Sequence, residues 1–144
     1  MSLDPKRKDL TIGVVGTGSM GRGIMQVAAQ GGLEVIAFDT AHPAAMKARD
    51  FIAGILARSV EKGSSSKAEA DAALARISVA NDIADLARAH VVVEAVVERL
   101  DVKQELFAKL DAIAPADTIL ASNTSSLPIT AIAAKCQRPE RVAG

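Results

Sequence analysis

The chain has 144 residues, is 49% hydrophobic and carries 17 basic against 17 acidic residues, for a net charge of zero. That is enough for one globular domain with a core, while the balanced charge, the lack of Trp and Tyr and a single short basic run, Lys6-Arg7-Lys8, exclude the footprint of a nucleic-acid binder. No apolar run approaches the roughly 18 residues of a membrane span, and Cys136, the only cysteine, excludes an intrachain disulfide and a cysteine metal cluster, so the reducing cytoplasm is the expected location.

Residues 1–9 are polar, have no apolar h-region behind the basic run, and are expected to be a flexible leader to a single domain over residues 10–144. The domain opens with a strand signal, Thr11-Ile12-Gly13-Val14-Val15, which runs into Gly16-Thr17-Gly18-Ser19-Met20-Gly21. A helix is expected over Arg22–Gln30, stopped by Gly31-Gly32, and Leu33-Glu34-Val35-Ile36-Ala37-Phe38 reads as a second strand ending at Asp39. G-x-G-x-x-G between strand and helix, with an acid after the next strand, is the pattern of a dinucleotide-binding βαβ unit. Gly16 serves the tight turn, Gly18 leaves backbone bare for a pyrophosphate, and Gly21 lets the helix pack closely. The phosphates meet free N–H groups at a helix N-terminus. Asp39 is placed to accept from both adenosine ribose hydroxyls, and with no arginine following it to hold a 2′-phosphate, NAD is expected rather than NADP.

Pro43 suits the first turn of a helix, and Met46, Phe51, Ile52, Ile55, Leu56 and Val60 recur at roughly helical spacing over Ala44–Lys62. After Gly63-Ser64-Ser65-Ser66, the spacing of Ser66 and Glu69 fits a capping box for a second helix, Lys67 to about Ala75. The two make a helical-pair insertion after strand two, longer than a crossover needs. A short strand, Arg76–Ala80, is followed by a brief helix capped by Asn81 or Asp82, and then by His90-Val91-Val92-Val93-Glu94-Ala95, an apolar run suited to burial on both faces of a parallel sheet. Leu100–Ala114 reads as an amphipathic helix with Val102, Leu106, Leu110 and Ile113 on its stripe. Thr118–Ser122 is a fifth strand. Asn123-Thr124-Ser125-Ser126 is a polar turn, and a helix is expected from Leu127 to about Cys136 with Ser126 as N-cap. Arg141–Gly144 looks like the entry to another strand.

This alternation predicts an α/β fold, a doubly wound and mainly parallel sheet with right-handed crossovers. Ligands then bind beyond the carboxyl ends of the strands. The glycine turn, Asp39, Val97-Glu98 and Ser122–Ser126 all fall on that edge, whereas His90 begins its strand on the opposite one and His42 lies on the adenosine side. Neither histidine is placed to act as a base near a nicotinamide.

The segments Gly16–Gly23, Glu94-Ala95-Val96-Val97-Glu98, Val102-Lys103 and above all Ala121-Ser122-Asn123-Thr124-Ser125-Ser126-Leu127 resemble the N-terminal NAD-binding domain of the L-3-hydroxyacyl-CoA dehydrogenases. The resemblance spans nearly all of residues 10–144 and implies a Rossmann-type sheet and reversible hydride transfer between NAD and the 3-hydroxyl carbon of an acyl-CoA. It implies cofactor contacts from Gly16, Thr17, Gly18, Ser19, Met20, Gly21, Asp39, Glu98, Lys103 and Asn123. Ser125 corresponds to the serine that hydrogen-bonds the substrate's 3-oxygen during transfer, so it is the implied catalytic residue. The helical pair is where the family holds CoA, with Lys62, Lys103 and Ser125 as the implied substrate contacts, although Ile55 stands where the family has a serine beside that lysine. The family continues into a strand with a catalytic histidine and an asparagine, a glutamate that orients the histidine, and a helical domain that forms a homodimer. On that basis the chain is expected to be C-terminally incomplete, to bind NAD and not to turn over alone. The pathway stays open between fatty-acid oxidation, butanoate synthesis and aromatic-acid breakdown. Alternative readings are another NAD-linked hydroxyacid dehydrogenase domain, a non-catalytic NAD-sensing module, or a flavin-binding glycine turn.

Overall fold

Six strands lie side by side in the order β3-β2-β1-β4-β5-β6, all parallel: β1 (Thr11–Val15), β2 (Glu34–Phe38), β3 (Ile77–Val79), β4 (Val91–Glu94), β5 (Ile119–Ser122) and β6 (Val142–Ala143). The computed structural model describes residues 3–144; Met1 and Ser2 of the polar leader lie outside the described residues. The order reverses direction between β1 and β4, which opens a crevice beyond their carboxyl ends. Val15 pairs with both Phe38 and Glu94, and Glu94 with Ser122, so four strands end on one rung. The ladder continues one residue further: Gly16 N donates to Phe38 O (2.9 Å), Ala95 N to Val15 O (2.8 Å) and Asn123 N to Glu94 O (2.9 Å).

Side-chain alternation along the strands builds two cores. Val14, Val35 and Ala37 pack with Met25 and Ala29 of α1 (Ser19–Gln30) and with Ala48, Ile52 and Leu56 of α2 (His42–Glu61). Val15, Ile36, Val92 and Leu120 turn the other way, onto Phe107 and Leu110 of α4 (Leu100–Ile113). The inserted pair is present as α2 and α3 (Lys67–Ala75), and Ser66 Oγ caps α3 by accepting from Glu69 N at 3.1 Å. Arg49 fastens α2 to the sheet by donating to the carbonyls of Ile77 (3.0 Å) and Leu74 (3.1 Å).

Several local expectations are corrected. Helix α1 begins at Ser19, directly after the N-capping Gly18, so its first turn includes half of the glycine motif. On α2 the buried stripe is Ala45, Ala48, Ile52 and Leu56; Met46 and Phe51 face outward, with the Arg22 guanidinium 3.7 Å over the Phe51 ring. On α4 it is Lys103, Phe107, Leu110 and Asp111, not the row through Val102 and Leu106. In β4 only Val92 and Glu94 are buried, while Val91 and Val93 are half-covered, because they point to the α1 side of the sheet and join neither core. The helix after β5 is short: α5 covers Ile129–Ile132, is N-capped by Pro128, and tightens into a 3-10 turn over Ala133–Lys135. Pro128 lacks an N–H and is itself extended (φ −64°, ψ 131°), so the helix starts only beyond it.

Candidate functional site

The glycine turn is built by backbone constraint. Gly16 has φ +92°, and a Cβ there would sit 2.6 Å from the Ala95 carbonyl oxygen. A Cβ on Gly21 would collide with the Gly16 carbonyl. Around Gly18 no atom lies within 4 Å of where a Cβ would be, so this backbone is open to a ligand. Helix geometry leaves the first amides of α1, from Ser19, Met20 and Gly21, without intrahelical acceptors. The residues therefore fit a pyrophosphate at this turn.

Asp39 stands at the end of β2 and is held by its neighbours. Its Oδ2 accepts from both the amide and the hydroxyl of Thr17 (2.9 Å each), and Oδ1 accepts from Ala41 N (3.0 Å). With two lone pairs per oxygen, Oδ2 is saturated and Oδ1 keeps one free position. The carboxylate thus offers one acceptor to a ribose as it stands, rather than the two expected. It borders a cleft of about 540 Å³ that also touches Gly18, Val97, Leu106 and Lys109.

Across the crevice, five residues from three elements close a ring. Glu94 is fully buried at the end of β4; its Oε2 accepts from Lys103 Nζ (2.6 Å) and Val96 N (2.8 Å), and its Oε1 from Ser122 Oγ (2.5 Å). Ser122 Oγ accepts from Thr124 N (3.2 Å), and Thr124 Oγ1 donates to Glu98 Oε1 (2.9 Å). Glu98 Oε1 returns to Lys103 Nζ at 3.1 Å. Lys103 is only 2% exposed, whereas the Glu98 side chain is 41% exposed. Hydrogen bonds from Lys103 and Thr124 hold the Glu98 carboxyl below the usual carboxylate range, with smaller help from Ser126 and Ser125 and against desolvation.

Ser126 is not the helix cap expected; its hydroxyl donates to Glu98 Oε2 (3.1 Å). Among the described residues no side chain caps that helix; Thr124 braces the turn before it, its Oγ1 accepting from Leu127 N (3.0 Å) and Ser126 N (3.4 Å). Glu98, Lys103, Asn123, Ser125 and Met20 line one cavity of about 410 Å³ next to the glycine turn. The Ser125 amide donates to Glu98 Oε2 (3.4 Å), and its hydroxyl has no hydrogen-bond partner among the described residues.

Lys62 is exposed at the C-cap of α2, outside both cavities. A 20-residue helix that starts beside Asp39 carries it about 30 Å along the axis. His90 Nδ1 accepts from Thr11 N (2.9 Å) at the far edge of the sheet, and His42 opens α2, so neither histidine reaches the Ser125 cavity. Burial pushes the half-buried Cys136 thiol up, away from the thiolate form that a nucleophile needs. Sequence reasoning gave no individual site role to Ser122, Thr124 or Glu94. The one signal for Glu94 was a carboxylate inside an apolar strand, a place where a charge needs a partner.

A family model described as "3-hydroxyacyl-CoA dehydrogenase, NAD binding domain" matches residues 11–144. The chain is 44% identical over 134 residues to 3-hydroxyadipyl-CoA dehydrogenase of Escherichia coli (strain K12), covering 93% of this chain and 28% of that one. It is 43% identical over 134 residues to 3-hydroxybutyryl-CoA dehydrogenase of Mycobacterium tuberculosis (strain CDC 1551 / Oshkosh), covering 92% of this chain and 47% of the relative. Among solved structures, 3-hydroxybutyryl-CoA dehydrogenase from E. coli K12 superposes with a TM-score of 0.90 at 42% identity, over 93% of this chain and 28% of that one. The enzyme named (S)-3-hydroxybutyryl-CoA dehydrogenase from Ralstonia eutropha gives 0.87 at 38%, over 92% and 47%. The chain therefore spans half or less of the length of these relatives.

Proposed function

Because the chain belongs to the 3-hydroxyacyl-CoA dehydrogenase family, as its NAD-binding domain, we propose that it provides the cofactor half of an enzyme that reversibly oxidises L-3-hydroxyacyl-CoA to 3-oxoacyl-CoA. NAD, when bound, takes up the hydride from the 3-carbon. The α1 amides of Ser19, Met20 and Gly21 hold the pyrophosphate, and Asp39, fixed by Thr17, reads the adenosine ribose through its free Oδ1 position. Glu98, Lys103 and Asn123 face the nicotinamide side. The Ser125 hydroxyl, unpaired in the same cavity, hydrogen-bonds the substrate's 3-oxygen and orients it for transfer. Lys62 reaches the CoA moiety from the helical pair, residues 3–9 stand outside the domain as a leader, and a cytoplasmic dimer is the working form.

The observation that carries this reading is the grouping of Ser125, Asn123, Glu98 and Lys103 around one cavity beside the glycine turn. No histidine of the described residues lines that cavity, and the proposed division of labour leaves the proton acceptor for alcohol oxidation to the part of the enzyme that completes this half. The test is calorimetry on the 144-residue protein with NADH, then with acetoacetyl-CoA on the NADH-loaded protein, beside an absorbance assay. NADH binds, Ser125→Ala weakens acetoacetyl-CoA binding while leaving NADH binding within about twofold, and NADH is not consumed. Steady consumption of NADH by the wild-type chain contradicts the proposed division of labour.

A further inference from the structure

We infer that Glu94 is a positioning residue that sets the charge of the nicotinamide side of the cleft and so shifts the relative affinity of the site toward the oxidised cofactor. The inference rests on the NAD-binding reading of this cleft and adds to it a role for a side chain that touches no ligand.

Glu94 is fully buried and meets only donors: the Lys103 ammonium, the Val96 amide and the Ser122 hydroxyl. Ser122 Oγ accepts from Thr124 N, which leaves its hydrogen for Glu94. Three donors on two oxygens is the surrounding of an ionised carboxylate. Lys103 Nζ in turn sits between Glu94 Oε2 (2.6 Å) and Glu98 Oε1 (3.1 Å). Two carboxylates share one ammonium, and the group carries a net charge of minus one.

Had Lys103 faced Glu98 alone, the pair would be neutral; the buried Glu94 supplies the excess. Among the described residues, Glu98 and Lys103 are the only charged ones lining the 410 Å³ cavity, so no other described side chain in its wall cancels that charge. The nicotinamide ring carries a positive charge when oxidised and none when reduced, and the rest of the cofactor is the same in both. Since Glu94 and Lys103 are removed from water, their field is weakly screened and acts on that one difference. The geometry also fixes Lys103: its ammonium donates to Glu94 Oε2 and is ion-paired with Glu98 Oε1 at the cavity wall.

The test is calorimetric titration of the 144-residue protein with NAD⁺ and, separately, NADH, comparing the ratio of the two dissociation constants between variants. Glu94→Gln, which leaves the Lys103–Glu98 pair neutral, should move the ratio against NAD⁺ by about fivefold or more. Glu94→Asp, which keeps the charge, should leave the ratio within about twofold even where both affinities fall. A purely structural role weakens both cofactors equally, and an unchanged ratio in folded Glu94→Gln overturns the inference. Should Glu94→Gln not fold, Glu98→Gln at its half-exposed position removes the same excess charge and has to shift the ratio in the same direction; no shift there overturns the inference as well. A wild-type chain that binds neither form defeats the cofactor reading itself, an outcome distinct from binding with an unchanged ratio.

Discussion

Lys103 and Asp111 lie on the same inward stripe of α4, where an apolar residue is the usual occupant. Each is tolerable only because its charge is met. Asp111 Oδ1 receives Arg141 through Nη2 (2.8 Å) and Nε (3.1 Å), and Oδ2 receives the amides of Gln137 (2.6 Å) and Arg138 (3.3 Å). Arg141 also donates to the Asp111 and Pro115 carbonyls, so this one side chain pins the approach to β6 against the end of α4. Removing one partner of such a buried pair costs about 3–5 kcal/mol; Arg141→Met should lose stability of that order in urea unfolding. Desolvation pushes the Asp111 carboxyl up, but the hydrogen bonds from Arg141, Gln137 and Arg138 outweigh it, and the group sits below the usual carboxylate range. A depressed carboxyl contributes stability that is present above its unfolded value, near pH 4, and is lost as pH falls through the folded value. Acid unfolding followed by circular dichroism should therefore be less steep below about pH 4 in Asp111→Asn than in wild type. These two charges were illegible in the sequence: periodicity marks apolar positions, and an inward Lys or Asp looks the same as a solvated one until its partner on another element is known.

At the scale of elements, the strands, α3 and the glycine turn were legible because each carries a local cause: period, capping pair or required backbone geometry. The turn after β5 was not, since which of Thr124, Ser125 and Ser126 braces it depends on Glu98, 26 residues from Thr124 in the chain. Thr124→Ala, which removes an acceptor for two turn amides and a donor to Glu98, should cost about 1–2 kcal/mol, whereas Ser126→Ala should stay within about 0.5 kcal/mol; thermal unfolding of the two variants checks the order. The glycines separate in the same way. Gly18→Ala, with open space at its Cβ and φ −68°, should keep the wild-type melting temperature and lose at least about tenfold in NADH affinity, a penalty of about 1.4 kcal/mol. Gly21→Ala, whose Cβ meets the Gly16 carbonyl, should lose both, as paired melting and titration experiments would record.

For the whole molecule, the doubly wound parallel sheet followed from the alternation of elements and right-handed crossovers, and the strand order found in the structure places Asp39 and Ser125 on opposite sides of the reversal between β1 and β4. On the proposed reading, adenosine takes one cleft and nicotinamide the other. The sequence did not reveal how unequal the two faces of the sheet are. On the α1 side, Val91, Val93, Ile119 and Ala121 form a half-covered apolar strip that joins neither core. The strip breaks the expectation that a continuous apolar strand is buried on both faces.

Asp39, at the end of β2, is the proposed reader of the adenosine ribose, and titration calorimetry of the 144-residue protein with NADH and with NADPH puts that role to the test. NADH should bind, and NADPH at least about tenfold more weakly, because a 2′-phosphate would face the Asp39 carboxylate. Equal or tighter binding of NADPH, or no binding of either, would contradict that role.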